Sequence, residues 1–188
     1  MNEKEIIEFA KLIGKLKNVK RTGWKIRGVK NPESVAEHSY RTALLAMLIA
    51  DKEGLNTEKL VKMALLHDLE EAINGDIPTL EKVKLDKKKL FEKNKKTVQK
   101  SLSVLPKNLQ KEYLDIWIES QKCKTKYAKL LKQIDYIEMM IQCLEYEKSQ
   151  PGVKKNLVDF WENVSGTKHF KWDSEFQKIF DMLKKMRK

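Results

Sequence analysis

Apolar residues recur at helical spacing through most of this chain. In the first such segment, residues 3–17, they repeat every three or four positions, at Ile6, Phe9, Ile13 and Leu16. β-Branched runs are short, and four prolines and seven glycines leave few breaks in the pattern. The hydrophobic pattern therefore predicts an all-α protein.

A second helix is predicted to begin after Ser34 and to end near residue 52. Ser34 and Glu37 have the Ser-x-x-Glu spacing of a capping box, so we interpret Glu37 as a structural residue. The buried stripe of this helix consists of Val35, His38, Thr42, Leu45 and Ile49. A lone histidine on such a stripe is more often a core residue with a satisfied hydrogen bond than a ligand.

The next helix places ionisable groups where a core helix should be apolar. The apolar run 63–66 leads directly into His67 and Asp68. Burying an imidazole and a carboxylate is costly unless another group pairs with them. A short connection through Gly54 makes the two helices antiparallel neighbours, so His38 and His67 can lie at the same level. This arrangement favours a shared site over two separate core residues.

The same helix is predicted to continue to Gly75, which would supply a left-handed stop. Glu71 would then stand one helical turn beyond His67, on the same face. Asp76 and Thr79 follow in a segment that turns back over the end of the helix, adding a carboxylate and a hydroxyl. We therefore expect several polar side chains to project toward one cavity.

Later segments also have helical patterns. They cover residues 82–103, 106–118, 124–148, 153–164 and 174–188. Asp135 lies in the longest of them, between apolar neighbours on one face. Two interpretations of Asp135 remain open, namely an internal salt bridge to a lysine and a ligand in the same site as His38 and His67.

No linker rich in proline, glycine or serine divides the 188 residues, so we predict one domain over residues 1–188, with a core from about 16 to 160. Cys123 and Cys143 lack metal-binding spacing and are interpreted as packing residues. Neither a signal peptide nor an apolar run long enough to span a bilayer is apparent, so we expect a soluble, cytoplasmic protein without membrane contact.

The chain carries 39 basic and 27 acidic residues, a formal charge of +12, which would attract phosphates or nucleic acid. Only four of the basic residues are arginine, and the lysines are spread over nearly every predicted exposed face. Proteins that read nucleic acid usually concentrate arginine and interleave aromatic residues. A solvated lysine-rich surface is therefore the favoured interpretation, and nucleic acid is not an expected partner.

Two imidazoles and two carboxylates, from His38, His67, Asp68 and Asp135, would suit Mn, Fe, Co, Ni or Zn. Such an ion keeps positions for water and a phosphoryl oxygen, and it lowers the pKa of the water. Glu71 would be placed to transfer a proton. The competing interpretation is a histidine and aspartate pair that only stabilises helix packing.

The set of motifs resembles the HD-domain metal-dependent phosphohydrolases. Within them the chain is similar to the YfbR-type 5′-deoxynucleotidases, in the branch that includes the human HD-domain-containing protein 2. The resemblance covers residues 16–160. It rests on Arg21-Thr-Gly-Trp24-x-x-Arg27-x-Val29, Pro32-Glu-Ser-Val-Ala-Glu-His38, Leu66-His-Asp-x-x-Glu71-x-x-x-Gly75-Asp76-Ile-Pro78 and Lys132-Gln-x-Asp135.

The resemblance implies an all-helical HD-domain bundle that forms a homodimer and hydrolyses deoxyribonucleoside 5′-monophosphates. It implies a divalent metal (Mn, Co, Fe, Ni, Zn or Mg) bound by His38, His67, Asp68 and Asp135. Glu71 and Asp76 would act in catalysis and could touch a second ion. The substrate contacts that it implies are Arg21, Trp24, Arg27, Asp76, Ile77, Pro78 and Thr79.

Several alternatives remain open from the sequence. Either Arg21 or Arg27 could orient the phosphate, and Trp24 could form a wall near C2′ that rejects a ribose hydroxyl. The substrate could be another small phosphate ester or a phosphodiester. The non-enzymatic alternative is a basic helical module that binds nucleic acid and loses binding steeply with salt.

Overall fold

The computed structural model describes residues 2–78, 86–165 and 173–187. These residues form ten α-helices and no β-sheet. The helices are α1 (Glu3–Gly14), α2 (Thr22–Lys25), α3 (Val35–Lys52), α4 (Thr57–Leu66), α5 (Glu71–Asn74), α6 (Lys87–Leu102), α7 (Lys107–Lys122), α8 (Lys126–Ser149), α9 (Val158–Ser165) and α10 (Ser174–Arg187). Short 3-10 turns follow α1 and α8. The all-α prediction is confirmed.

The capping box predicted for α3 is present. The Ser34 side chain accepts the Glu37 N–H, and the Glu37 carboxylate accepts the Ser34 N–H. Helix α4 begins in a similar way, because the Asn56 side chain accepts the Lys59 N–H at 2.8 Å. Such caps satisfy backbone donors that a helix start would otherwise leave unpaired.

The main core lies between α3, α4 and α8, which pack on one another. Leu60 and Met63 of α4 and Ile134 and Met140 of α8 are fully buried there. Phe180 of α10 belongs to the same core, so the C-terminal helix covers α8. This packing fixes three of the elements that carry site residues in the sequence interpretation.

A second buried region, the Glu70 cluster, consists of Glu70, Asn94 and Trp117. The Trp117 indole N–H donates to Glu70 Oε2 at 2.8 Å, and Asn94 Nδ2 donates to Glu70 Oε1 at 3.3 Å. The Asn74 side chain in turn donates to Asn94 Oδ1 at 3.0 Å. The carboxylate of this cluster therefore has hydrogen-bond donors within the protein.

Helix α6 begins later than its sequence pattern predicts. Asp86 Oδ1 accepts the backbone N–H groups of Lys88 and Lys89, so Asp86 is the N-cap and the helix starts at Lys87. The predicted start near residue 82 falls in 79–85, outside the described residues. Among the residues that are described, no helix has the length and apolarity that a bilayer crossing requires.

Candidate metal centre

His38 is fully buried in the second turn of α3, where the Ser34–Glu37 cap fixes the start of the helix. Its Nδ1 lies 2.5 Å from Oε2 of Glu138, which is also fully buried. Its Nε2 points the other way and lies 3.2 Å from Asp135 Oδ1. The two ring nitrogens therefore face different groups.

His67 and Asp68 lie at a break between two helices, which corrects the prediction of one helix up to Gly75. Helix α4 ends at Leu66, and α5 begins at Glu71. His67 Nδ1 lies 2.7 Å from the Ala64 carbonyl oxygen, which in a continuous helix would accept the Asp68 N–H. The imidazole thus takes the place of a backbone donor, and its Nε2 is directed at Asp68.

Hydrogen bonds beyond the break have the tighter spacing of a 3-10 turn. The N–H groups of Leu69, Glu71 and Ala72 each donate to a carbonyl three positions earlier. Helix α5 stops at Gly75, whose φ of +72° is positive as predicted, although its ψ of 167° differs from the left-handed helical conformation that the sequence analysis expected. Because of the break and this spacing, Glu71 is not one α-helical turn from His67, which corrects that part of the sequence interpretation.

Asp135 reaches the same point from α8. Its Oδ1 lies 3.2 Å from His38 Nε2, and its Oδ2 lies 2.8 Å from Lys132 Nζ. One oxygen of Asp135 therefore pairs with a lysine, as the salt-bridge interpretation expects, and the other faces the histidine, while its role as a ligand stays a prediction.

The four side chains have the geometry of ligands around one ion. We call them the metal cluster: His38, His67, Asp68 and Asp135. Asp68 Oδ2 lies 3.2 Å from His67 Nε2 and 3.9 Å from His38 Nε2. Donor atoms of His38, His67 and Asp135 all lie within 4.8 Å of one another. Ligands bound at about 2.1 Å in an octahedron would be separated by roughly 3 Å along its edges, close to these distances.

The hydrogen bonding of the metal cluster also fits a cation. Nε2 of His38 and Nε2 of His67 are buried and have no hydrogen-bond partner among the described residues, although each lies beside a carboxylate oxygen. Buried polar atoms usually have partners, so two orphaned nitrogens at one point require an explanation. A divalent metal, to which both nitrogens and both carboxylates would donate, supplies it.

Electrostatics in the metal cluster are strongly coupled. Burial would lower the pKa of His38, but Asp135 and Glu138 outweigh it and raise that pKa to about 10. Burial would raise the pKa of Asp135, yet Lys132 and His38 hold it well below its usual range. Burial likewise opposes charge on His67, whereas Asp68 raises its pKa. The carboxylates of the cluster therefore favour protonated imidazoles when no metal is bound.

Arg21 is the arginine that contacts the metal cluster, on the side of Asp68. Its Nη1 lies 3.4 Å from Asp68 Oδ2, and its side chain is 16 % exposed. Burial would lower the pKa of Arg21, but the charges of Asp68 and Asp76 raise it. The guanidinium therefore remains a cation at the edge of the cluster.

Asp76 holds the short helix that follows Arg21. Its Oδ2 accepts the Thr22 N–H at 2.5 Å, and its backbone carbonyl accepts the Thr22 hydroxyl at 3.0 Å. Carboxylates are favourable at a helix start because they pair with unsatisfied N–H groups. Asp76 thereby fixes the first residue of α2 next to Arg21.

Glu71 is 2 % exposed at the start of α5, and its charge is among those that raise the pKa of Arg21. Ile77 is half-buried and Pro78 is buried in the segment after Asp76. Thr79, which the resemblance places in the nucleotide site, lies outside the described residues.

Trp24 and Arg27 are engaged elsewhere. The Trp24 side chain is 1 % exposed, stacks on Phe160 with ring centroids 4.3 Å apart, and donates its indole N–H to Glu33. The Arg27 guanidinium pairs with Asp159 and lies 4.3 Å from the centre of the Phe160 ring. Of the two arginines, the structure therefore places Arg21, and not Arg27, against the metal cluster.

The sequence interpretation missed Glu138. It lies three residues after Asp135 on α8, on the same face, and it is fully buried. An acidic residue on the buried stripe next to a nominated ligand was the available signal. Its contact with His38 joins residues 100 positions apart, which no local pattern contains.

Fold and site together describe an all-helical protein with a candidate metal centre of imidazoles and carboxylates. The chain belongs to the HD domain family, whose sequence profile matches residues 13–179. This confirms the family resemblance seen in the motifs.

Particular proteins are similar to this chain over most of its length. The chain is 37 % identical to the human 5′-deoxynucleotidase HDDC2 over 165 residues, which cover 87 % of this chain and 78 % of the human protein. It is 40 % identical to the Xenopus laevis 5′-deoxynucleotidase HDDC2, with 87 % and 79 % covered. A conserved hypothetical protein from Pyrococcus furiosus has a similar solved structure, with a TM-score of 0.71, 35 % identity and 96 % and 98 % of the two chains covered.

Proposed function

We propose that this protein is a metal-dependent 5′-deoxynucleotidase. It hydrolyses deoxyribonucleoside 5′-monophosphates to the deoxynucleoside and phosphate. The observation that carries the proposal is the convergence of two orphaned imidazole nitrogens with two carboxylates, in a chain of the HD domain family. Relatives named as 5′-deoxynucleotidases, 37 % and 40 % identical, supply the substrate class.

His38, His67, Asp68 and Asp135 would hold the ion, and Mn²⁺ and Co²⁺ are the ions that we propose for activity. The bound ion lowers the pKa of a water molecule and neutralises charge on the phosphoryl group. Nitrogen and oxygen ligands together suit such ions, whereas a thiolate site would select softer metals. Glu71 and Asp76 are the candidate ligands of a second ion.

Arg21 orients the phosphate in this proposal. A guanidinium presents a planar set of donors that matches two phosphate oxygens. Its contact with Asp68 keeps the guanidinium beside a residue that would hold the ion, and Asp76 fixes the helix that follows Arg21. Arg27 instead ties α2 to α9 through Asp159 and does not contact the substrate.

Glu71 transfers the proton. The oxygen of the attacking water forms a bond to phosphorus while the bond from phosphorus to the 5′-oxygen breaks. Glu71 accepts a proton from the water and returns it to the leaving 5′-oxygen, so the reaction balances without a co-reactant. Ile77 and Pro78 would line the side of the site that receives the nucleoside, and the resemblance adds Thr79, which lies outside the described residues.

Direct contact between Trp24 and the sugar is not part of this proposal. One face of the indole is stacked on Phe160, and its N–H is bonded to Glu33. Any effect of Trp24 on the choice of deoxyribose over ribose would act through the position of α2, which contains it.

The protein also forms a homodimer in this proposal. Three apolar side chains on α3 stand at i, i+4 and i+8 and are 66 %, 43 % and 63 % exposed: Tyr40, Leu44 and Leu48. A stripe of this kind suits a second copy of the same helix. Light scattering after gel filtration should give twice the chain mass, and Leu48→Glu should give the monomer mass.

Phosphate release from dAMP, dCMP, dGMP and dTMP tests the proposed activity. We expect hydrolysis that stops with chelator and returns when Mn²⁺ or Co²⁺ is added. Matched ribonucleotides should react more slowly, and bis(p-nitrophenyl) phosphate, a diester, should not react. Preferential cleavage of the diester would instead support the phosphodiesterase alternative, and metal-independent release would contradict the mechanism.

A further inference from the structure

We propose that Glu138, held in place by Arg41, is a positioning residue that orients His38 as a metal ligand. The inference rests on the proposed metal site, since it concerns how one ligand of that site is presented. Glu138 lies behind the ligand His38 and does not touch the ion or the substrate.

The contact between Glu138 and His38 is short and completely buried. Glu138 Oε2 lies 2.5 Å from His38 Nδ1, and both side chains are 0 % exposed. A carboxylate can only accept a hydrogen bond, so Nδ1 keeps its proton and Nε2 is the nitrogen that can donate a lone pair to a metal. Partners of this kind fix the tautomer and the ring orientation of ligating histidines and raise their basicity.

Arg41 determines which oxygen of Glu138 is available to His38. Arg41 Nε donates to Glu138 Oε1 at 2.8 Å, and its Nη1 donates to Glu145 at 2.9 Å and 3.1 Å. The Arg41 side chain is 29 % exposed, so this chain of contacts runs from the surface to the buried histidine. A buried carboxylate is costly unless its oxygens are paired, and Arg41 and His38 pair both of them.

Glu33, His38 and Glu138 also have donor atoms within 4.8 Å of one another and could be mistaken for a second metal site. Their contacts favour hydrogen bonding instead. A separation of 2.5 Å between His38 Nδ1 and Glu138 leaves no room for an ion between them. Glu33 Oε1 also already accepts the Trp24 indole N–H at 3.0 Å.

A glutamine at position 138 cannot replace the carboxylate in this role. Its single amide oxygen can accept from either His38 or Arg41, whereas the other donor would face an NH₂ group. The side chain keeps its size, so the substitution removes the second acceptor without opening a cavity. Orientation of His38 should therefore fail while packing is retained.

Binding of Mn²⁺ alone to the metal-free, full-length protein tests the inference by calorimetric titration. We expect Glu138→Gln to weaken Mn²⁺ binding by about 10- to 100-fold. The visible absorption spectrum of the Co²⁺-loaded variant should also differ from that of the parent protein, because the ligand geometry has changed. Neither readout depends on catalysis.

Glu147→Gln is the matched control. Glu147 lies on the same helix, is buried, and pairs with Arg187 and the Trp161 indole N–H. Its substitution should lower the unfolding temperature without changing Mn²⁺ affinity. A Glu138→Gln variant that binds Mn²⁺ within about twofold of the parent protein would overturn the inference.

Arg41→Met keeps the test decisive if Glu138→Gln does not fold. Arg41 is partly exposed, so this variant should fold, and we expect Mn²⁺ binding to weaken by about 3- to 10-fold as Glu138 loses its anchor. Unchanged affinity would overturn the inference. Absence of Mn²⁺ binding in the parent protein would overturn the proposed metal site itself, which separates the two failures.

Discussion

The metal cluster and the Glu70 cluster are both buried and polar, and only one residue of the chain separates Asp68 of the first from Glu70 of the second. In the Glu70 cluster, donors meet an acceptor, because Trp117 and Asn94 each direct an N–H at the carboxylate. In the metal cluster, acceptors face one another, because imidazole lone pairs and carboxylate oxygens converge. The first arrangement is complete within the protein, whereas the second requires a cation or protons.

This difference separates a structural polar cluster from a functional one. Both clusters bury polar side chains, so burial alone does not distinguish them. What distinguishes the clusters is whether the facing atoms are hydrogen-bond donors or acceptors. A cluster of matched donors and acceptors can only stabilise the fold, whereas converging lone pairs can bind an ion. Substitutions in the two clusters should therefore have opposite effects on activity and stability.

The largest expected effect comes from Asp68→Asn, compared with Glu70→Gln. The first replaces a metal ligand by a weaker one of the same shape and should lower kcat/KM by on the order of 10³-fold. The second should leave kcat/KM within about threefold but cost roughly 1–3 kcal/mol of unfolding free energy. Steady-state kinetics and urea unfolding measure the pair. A loss of activity in Glu70→Gln equal to that in Asp68→Asn would remove the distinction between the clusters.

Arg21→Ala tests whether Arg21, which contacts the metal cluster, binds the substrate phosphate. Loss of the guanidinium should reduce kcat/KM by about 10²-fold, because the developing charge loses a fixed donor. Arg27→Ala is the control, since Arg27 pairs with Asp159 outside the cluster. It should cost about 1 kcal/mol of stability and leave kcat/KM nearly unchanged. The reverse result would assign the phosphate contact to Arg27.

Trp117→Phe tests the Glu70 cluster alone. The substitution removes the indole N–H that donates to Glu70 at 2.8 Å and leaves a buried carboxylate oxygen short of a donor. We expect a loss of about 1–3 kcal/mol in unfolding free energy, with Mn²⁺ affinity unchanged. Weaker Mn²⁺ binding in this variant would show that the two clusters are energetically linked.

Proton release on metal binding is the smallest of these effects. Asp135 and Glu138 outweigh burial and raise the pKa of His38 to about 10, so its Nε2 is protonated at neutral pH in the metal-free protein. An ion must displace that proton. Mn²⁺ affinity should therefore rise with pH between about 6 and 9, by roughly tenfold per pH unit for each proton released.

Calorimetry in buffers of different ionisation enthalpy measures the number of protons directly. At least one proton should be released at pH 7. A binding heat that is independent of the buffer would mean that the nitrogen is already deprotonated, and the raised pKa of His38 would then be wrong.

Local signals in the sequence were sufficient for most of the fold. The Ser34 capping box and the residues that bound α3 and α8 depend on neighbours three or four positions apart, so a periodic pattern contains them. The same holds for the positive φ of Gly75. Helix α7 continues to Lys122, beyond its predicted end at residue 118. The extent of a single domain over residues 1–188 stays a prediction.

Features that depend on distant contacts were not predictable in this way. Helix α4 breaks after Leu66 because the His67 side chain, in place of a backbone N–H, hydrogen-bonds to the Ala64 carbonyl oxygen. The apolar run before His67 does not indicate this competition. The burial of Trp24 depends on Phe160, and the role of Glu138 depends on His38 and Arg41. The structure brings together the four nominated ligands, whereas their roles in binding and catalysis stay predictions.

The location of the bound ion is the most direct test of the central claim. Crystals of the protein soaked with Mn²⁺ should show an anomalous diffraction peak at the manganese absorption edge, within about 2.3 Å of His38 Nε2, His67 Nε2 and one oxygen each of Asp68 and Asp135. A peak between Glu33 and Glu138, or no peak near His38 at full Mn²⁺ loading, would contradict the account.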